Sequence, residues 1–214
     1  MVRTARDYGH LLRDASSRSA EKPDSGRGKM AKRRENAMAK GTSTLKHNVR
    51  PVVLDTSPLN YLLRLGCVDI LRDLHIEVLI PGAVLAELSH VAAPAEVRAW
   101  LMAPPPWAGF VAVFEIDPTL PPQLGAGERE AISFAAAKPN SLLIVDDQRA
   151  RLAATQRLVE TTGTLAVVRQ ASLQGLLDFQ KTILRLVDCG FRISPSLQLE
   201  ILARHERDSK DKSR

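Results

Sequence analysis

The chain has 214 residues, 44% hydrophobic and only 4% aromatic, with 30 Lys or Arg against 24 Asp or Glu for a net charge of +6. That size and apolar content support one packed domain with some extra material. No apolar run approaches the roughly 18–20 residues that span a bilayer, and the polar first fifty residues hold no signal-peptide core, so the expectation is a soluble, cytoplasmic protein without membrane contact. Cys67 and Cys189 form neither a metal-type pair nor a disulfide framework and read as ordinary thiols.

The charge is uneven. Residues 1–50 hold 13 Lys or Arg and 5 Asp or Glu, a net of +8, whereas residues 51–214 hold 17 and 19, a net of −2. The excess therefore belongs to the N-terminal segment, and a basic tail is a weaker nucleic-acid signal than a basic domain surface. Residues 1–50 read as a disordered tail, rich in Ser, Arg, Lys and Gly from Ser16 to Thr44. Its patch Lys29-Met30-Ala31-Lys32-Arg33-Arg34 is either a basic arm for RNA or an acidic partner, or simply solvated. Met30 and Met38 offer later start sites that would make part of the tail an artefact.

A domain is expected over 51–205, followed by a charged, frayed tail over 206–214. Pro51 to Asp55 is a wholly apolar run closed by an acid, the mark of a strand buried on both faces. Ser57 is the expected N-cap and Pro58 suits the first turn of a helix carrying Leu59, Leu62, Leu63 and Leu65, stopped by Gly66. Val68 to Leu74 reads as a second short helix and Ile76 to Ile80 as a strand. Pro81 opens a helix with Val84, Leu85, Glu87 and Leu88; Pro94 to Met102 is helical until Pro104-Pro105-Pro106 breaks it. Phe110 to Ile116 alternates like a strand. Gly125-Ala126-Gly127 leads into a helix from Glu128 to about Ala137, with Ala131, Ile132, Ala135 and Ala136 at helical spacing. Ser141 to Asp146 is the clearest strand. A helix over Asp147–Arg157, a strand over Leu158–Thr161 and helices over Gly163–Gln170, Leu176–Val187 and from Pro195 to about His205 complete the chain.

Strands alternate with helices, which implies right-handed βαβ crossovers and a three-layer α/β/α fold with a parallel, roughly five-stranded sheet. Asp55, Glu87, Glu128 and the pair Asp146 and Asp147 then fall at strand ends or on the helices that follow, where open α/β sheets bind ligands. Each acid has a plainer explanation by itself. Asp55 and the Asp pair could cap helices, Glu87 could be a solvated face, and Glu128 could complement a helix dipole. Together they recur in one geometric class. Converging carboxylates repel unless a cation compensates, and an all-oxygen set suits Mg²⁺, with Mn²⁺ the alternative. His10, His47, His75, His90 and His205 form no HxxxH or HxH pair, which argues against zinc. Glu130 competes with Glu128, but Glu128 directly follows Gly127 at the helix start.

Val53-Leu54-Asp55-Thr56-Ser57-Pro58-Leu59 resembles the opening strand of PIN-domain ribonucleases. Ile80-Pro81 with Val84 and Glu87-Leu88 resembles their second acidic motif, Gly125-Ala126-Gly127-Glu128-Arg129-Glu130-Ala131-Ile132 the third, and Leu143-Ile144-Val145-Asp146-Asp147-Gln148-Arg149-Ala150-Arg151 the fourth. Thr161-Thr162-Gly163-Thr164-Leu165 is similar to the last short strand and its turn. The similarity spans about Val52 to Arg204, and the nearest branch looks like the VapC-type toxins of prokaryotic toxin–antitoxin pairs.

The resemblance implies Mg²⁺-dependent endoribonuclease activity, homodimerisation and inhibition by a cognate antitoxin protein. It assigns Asp55, Glu87, Glu128 and Asp146 to the metal, with Asp147 alternative or supporting, and Thr56 or Ser57 to a phosphate or a water. Arg149 or Arg151, one helical turn beyond the acids, reads either as a phosphate contact or as a solvated helix face. Hydrolysis in line would leave 5′-phosphate and 3′-hydroxyl ends. Three features depart from the family outline: Glu128 stands where many members carry Asp, the DD pair leaves the ligand open, and the basic tail has no counterpart. A phospho-acceptor receiver would place its acidic pair after the first strand, and a haloacid-dehalogenase-type phosphatase would want Asp where Ser57 stands. A non-catalytic PIN-like module that binds RNA or protein is the rival from another class.

Overall fold

The computed structural model describes residues 50–75 and 77–212. The expectations for the tail over 1–49, including its basic patch, lie outside the described residues, as does Ile76 of the expected second strand.

Five parallel strands form one sheet in the order β3-β2-β1-β4-β5. β1 (Val52–Leu54) is fully buried at the centre. It pairs with β2 (Val78–Pro81) on one side and β4 (Leu142–Ile144) on the other, with Val53 opposite both Leu79 and Leu143. β3 (Ala108–Val111) and β5 (Glu160–Thr162) are the edges. Between the strands run α1 (Thr56–Arg64), α2 (Ile70–Leu74), α3 (Gly82–Leu88), α4 (Ala95–Met102), α5 (Ala126–Ala137) and α6 (Gln148–Thr155). After β5 come α7 (Thr164–Leu173), α8 (Phe179–Asp188) and α9 (Pro195–Lys212).

The side-chain alternation of a strand divides the core in two. Val52, Leu54, Val78, Ile80, Leu142 and Ile144 face a large cluster that includes residues of α1 to α4, α7 and α8. Val53, Leu143 and Val145 face a smaller one built from Leu120, Leu124 and the apolar residues of α5 and α6. Helices thus cover both faces, as a sheet of parallel crossovers requires. The three-layer α/β/α architecture expected from the sequence is the one observed.

Several boundaries differ from the expectation. α1 begins at Thr56, so Asp55 rather than Ser57 occupies the cap position, and Pro58 lies in the first turn where its missing N–H costs nothing. β3 covers Ala108–Val111 instead of 110–116, because β2, its one partner among the described residues, gives way to α3 after Pro81. The alternation from Val111 to Ile116 therefore belongs largely to an exposed segment, with Phe114 92% exposed. β5 starts two residues later than expected. Leu158 sits at φ 60 in the turn after α6, where Val159 N–H bonds the Ala154 carbonyl at 3.0 Å, and only then can the chain extend. α8 starts at Phe179, capped by Asp178, whose carboxylate accepts from Lys181 N–H at 2.8 Å. α9 continues to Lys212 instead of fraying after His205; Asp208 contacts Arg169 of α7.

Candidate active site

The strand order reverses at β1. From β1 the chain builds outward through β2 to β3, then returns to the other side of β1 as β4. The carboxyl ends of β1 and β4 therefore flank the switch point, the place where such sheets open a crevice. Asp55 follows β1, and Asp146 and Asp147 follow β4 across one residue.

Asp55 is 2% exposed, and its Oδ1 has no hydrogen-bond partner among the described residues. Its own N–H is used in the sheet, donating to the Ile144 carbonyl at 3.0 Å. Burial pushes the Asp55 carboxyl up to about 7; the Thr56 and Ser57 N–H groups oppose the shift, and repulsion from Glu128 and Glu87 adds to it. A carboxylate placed without compensation beside other carboxylates is costly.

α3 supplies Glu87 and α5 supplies Glu128. The Thr56 hydroxyl donates to Glu87 Oε2, and Gly127 N–H donates to Oε1 at 2.8 Å. That grip explains Gly127. A Cβ there would lie 2.7 Å from both Glu87 Oε2 and Thr56 Oγ1. Glu128 folds back to accept from Gly125 N–H at 2.8 Å, closing the first turn of α5. Burial raises its pKa, the Gly125 bond offsets this, repulsion from Asp147 and Glu87 adds to it, and Arg149 opposes it. A Cβ on Gly125 would stand 3.5 Å from Glu87 Oε1 and 3.7 Å from Glu128 Oε2, so both carboxylates border the same point.

The Asp pair splits. Asp147 is exposed and caps α6, its Oδ1 accepting from Arg149 N–H at 2.8 Å and Ala150 N–H at 3.0 Å. Its charge is felt by Glu128. Asp146 turns to the start of α7. Thr164 N–H donates to Oδ1 at 2.9 Å and the Thr164 hydroxyl to Oδ2 at 2.6 Å, with the Arg151 guanidinium 3.9 Å from Oδ1. Glu130 leaves the group too: its Oε2 accepts from Ala83 N–H at 2.8 Å and ties α5 to the first turn of α3. Asp55, Glu87, Glu128 and Asp147 are thus linked by mutual repulsion, whereas Asp146 is held by the N–H and hydroxyl of Thr164 and Glu130 by the Ala83 N–H.

Of the other expected residues, Thr56 is engaged with Glu87. Ser57 is exposed in a cleft of about 230 Å³ that also includes Thr56, Asn60, Glu87 and His90. Arg149 is exposed beside Glu128. Sequence reasoning gave Thr164, which grips Asp146, no part in the site. The Gly163-Thr164 pair at a helix start was a usable signal for a residue that clasps a neighbouring strand end, here Asp146 after β4.

Among the described residues, no three His, Cys, Asp or Glu side chains stand close enough to hold a metal ion as placed. Glu87, Glu128 and Asp147 each bind protein donors instead. The donor chemistry nevertheless suits a hard divalent cation, with all-oxygen groups and a buried Asp55 Oδ1 that lacks a partner.

The fold and site define an α/β/α domain with an acidic crevice at its switch point. The sequence profile of a family described as a PIN domain matches residues 51–207, and the chain belongs to that family. No curated protein matched the sequence. Family membership points in general to nuclease-type function, to divalent metals and to RNA.

Proposed function

We propose that this protein is a Mg²⁺- or Mn²⁺-dependent endoribonuclease. The observation that carries the reading is Asp55: a buried carboxylate with an orphaned oxygen and a raised pKa, repelled by Glu87 and Glu128. Asp55, Glu87, Glu128 and Asp147 would hold the cation. The resemblance assigns Asp146 to it, with Asp147 as the alternative; Asp147 is preferred here because two bonds from Thr164 favour a positioning role for Asp146, fixing the end of β4.

Bound there, a divalent cation neutralises phosphate charge and makes water a better nucleophile. The chain supplies the rest. Asp55 Oδ1 is free of protein donors and is the oxygen left to orient water. Thr56 and Gly127 hold the Glu87 carboxylate in one rotamer while it works. Arg149, beside Glu128 at the rim, offers a cation to phosphate. Water would attack phosphorus in line, losing a proton to solvent as the P–O3′ bond breaks, and the leaving 3′ oxygen would take a proton from solvent.

The finer role rests on motif similarity to VapC-type toxins: a cytoplasmic toxin, homodimeric, silenced by an antitoxin. Growth arrest on expression, relieved by the product of a neighbouring short reading frame, is its test. The activity is tested with purified protein and RNA in Mg²⁺ or Mn²⁺, with EDTA as control. Asp55→Asn is expected to lower the cleavage rate about 100-fold or more. Cleavage unchanged by that substitution places the activity elsewhere, and RNA binding without cleavage favours a non-catalytic module.

A further inference from the structure

A groove of about 700 Å³ opens beside Asp146, between the β5–α7 junction and α9. Four arginines from four parts of the chain line it: Arg151 on α6, Arg169 on α7, Arg192 in the segment between α8 and α9, and Arg204 on α9. Two carboxylates share the lining, Asp146 and Glu200, and Asp146 is already engaged by Thr164. The net charge of the lining is positive in a domain whose sequence is slightly acidic over 51–214. Arg169 contacts Asp208, yet its pKa is lowered, first by burial and then by the neighbouring Arg204. Like charges held side by side gain from a bound anion. Arg192 and Arg204 are exposed and make no ion pair among the described residues.

An aromatic ring completes the groove. Phe191 lines it, and Tyr61 holds that ring edge-on at a centroid distance of 5.1 Å and 75°. A base can stack on a ring fixed in this way, and guanidinium groups along a channel suit a phosphate backbone. The groove begins at the residue next to Asp147, so a strand lying in it runs into the acidic centre.

We propose that this groove carries the backbone of a single-stranded RNA on one flank of the acidic centre, with Arg151, Arg169, Arg192 and Arg204 facing phosphates and Phe191 under one base. The substrate class rests on the nuclease reading; the groove is tested by binding, apart from cleavage. Uncleaved complexes are formed with Asp55→Asn protein, and with wild type in EDTA, on a fluorescein-labelled oligoribonucleotide of roughly 12 nucleotides. Anisotropy is followed from about 50 to 300 mM KCl. Joint Arg192→Ala and Arg204→Ala substitution is expected to weaken binding about tenfold near 100 mM salt and flatten the slope of log K against log salt by about 1.4, two phosphate contacts' worth for a single strand. The corresponding Lys substitutions restore the slope. Phe191→Ala costs about fivefold or more at an unchanged slope.

These exposed arginines can be replaced without touching the core, and circular dichroism confirms the fold. Wild-type affinity and slope in the Arg192/Arg204 variant overturn the proposal, as does failure of the protein to bind the oligonucleotide. Polyglutamate that competes on equal terms, with no effect of Phe191→Ala, overturns it in favour of an acidic protein partner. A wild type that cleaves nothing, with groove variants that lose affinity as expected, supports the groove and defeats the nuclease reading. Cleavage by wild type with unchanged binding in the variants does the reverse.

Discussion

Asp55 concentrates the energetics of the centre in one residue. Its carboxyl is raised to about 7, chiefly by burial, whereas an exposed Asp titrates near 4. A folded-state pKa above the unfolded value means that this group's stability contribution is full below about pH 4 and is lost as pH rises through about 7. Asp55→Asn removes the titration. Without metal, the variant is expected to melt several degrees above wild type at pH 8, a gap on the order of 1–4 kcal/mol that closes toward pH 4. Thermal melts across that range check it; a gap constant with pH contradicts the assigned shift. Under the proposed metal role, saturating Mg²⁺ is expected to narrow the gap by favouring the ionised wild type. Asp55 was readable from the sequence because a fully apolar strand rarely ends in a surface acid by chance. The different surroundings of Asp146 and Asp147 were not, since adjacent residues leave a strand in different directions and only Asp146 meets the distant Thr164.

At the scale of elements, α3 and α5 must meet closely for Glu87 and Glu128 to share a point. Two contacts secure this: Gly127 N–H to Glu87 and Ala83 N–H to Glu130. Gly127→Ala places a methyl 2.7 Å from the Glu87 carboxylate and the Thr56 hydroxyl, so Glu87 has to move. Activity is expected to fall about tenfold or more, while overpacking costs roughly 1–3 kcal/mol of stability. Comparing cleavage rate with chemical denaturation separates the two effects, and equal activity in a folded variant removes the grip on Glu87 from the account. Patterns placed the elements well where a strand was central and its apolar run uninterrupted, as in β1 and β4. They misplaced edges. β3 and β5 each have one neighbour, so their limits are set by where β2 and the α6 turn end rather than by their own residues.

Across the whole molecule, the central strands carry both the acidic crevice and the core. Val53 and Leu143 are wholly buried, side by side on one sheet face, with Asp55 and Asp146 just beyond on the same two strands. Leu143→Ala is expected to cost about 2–5 kcal/mol in urea unfolding; a loss under about 1 kcal/mol would mean the smaller core tolerates a cavity there. The parallel topology, with its reversal at β1, was legible from alternating elements and places Asp55 and the Asp pair at one crevice. The basic groove was not legible, because Arg151, Arg169, Arg192 and Arg204 are spread over more than fifty residues and converge only through the packing of α9 on α7. The most direct measurement of the central claim is calorimetric titration of Mn²⁺ into wild type, Asp55→Asn and Glu128→Gln at pH 8. A shared acidic centre predicts saturable binding in wild type that weakens about tenfold or more in each variant. Binding that is equal in all three, or missing in a folded wild type, contradicts it.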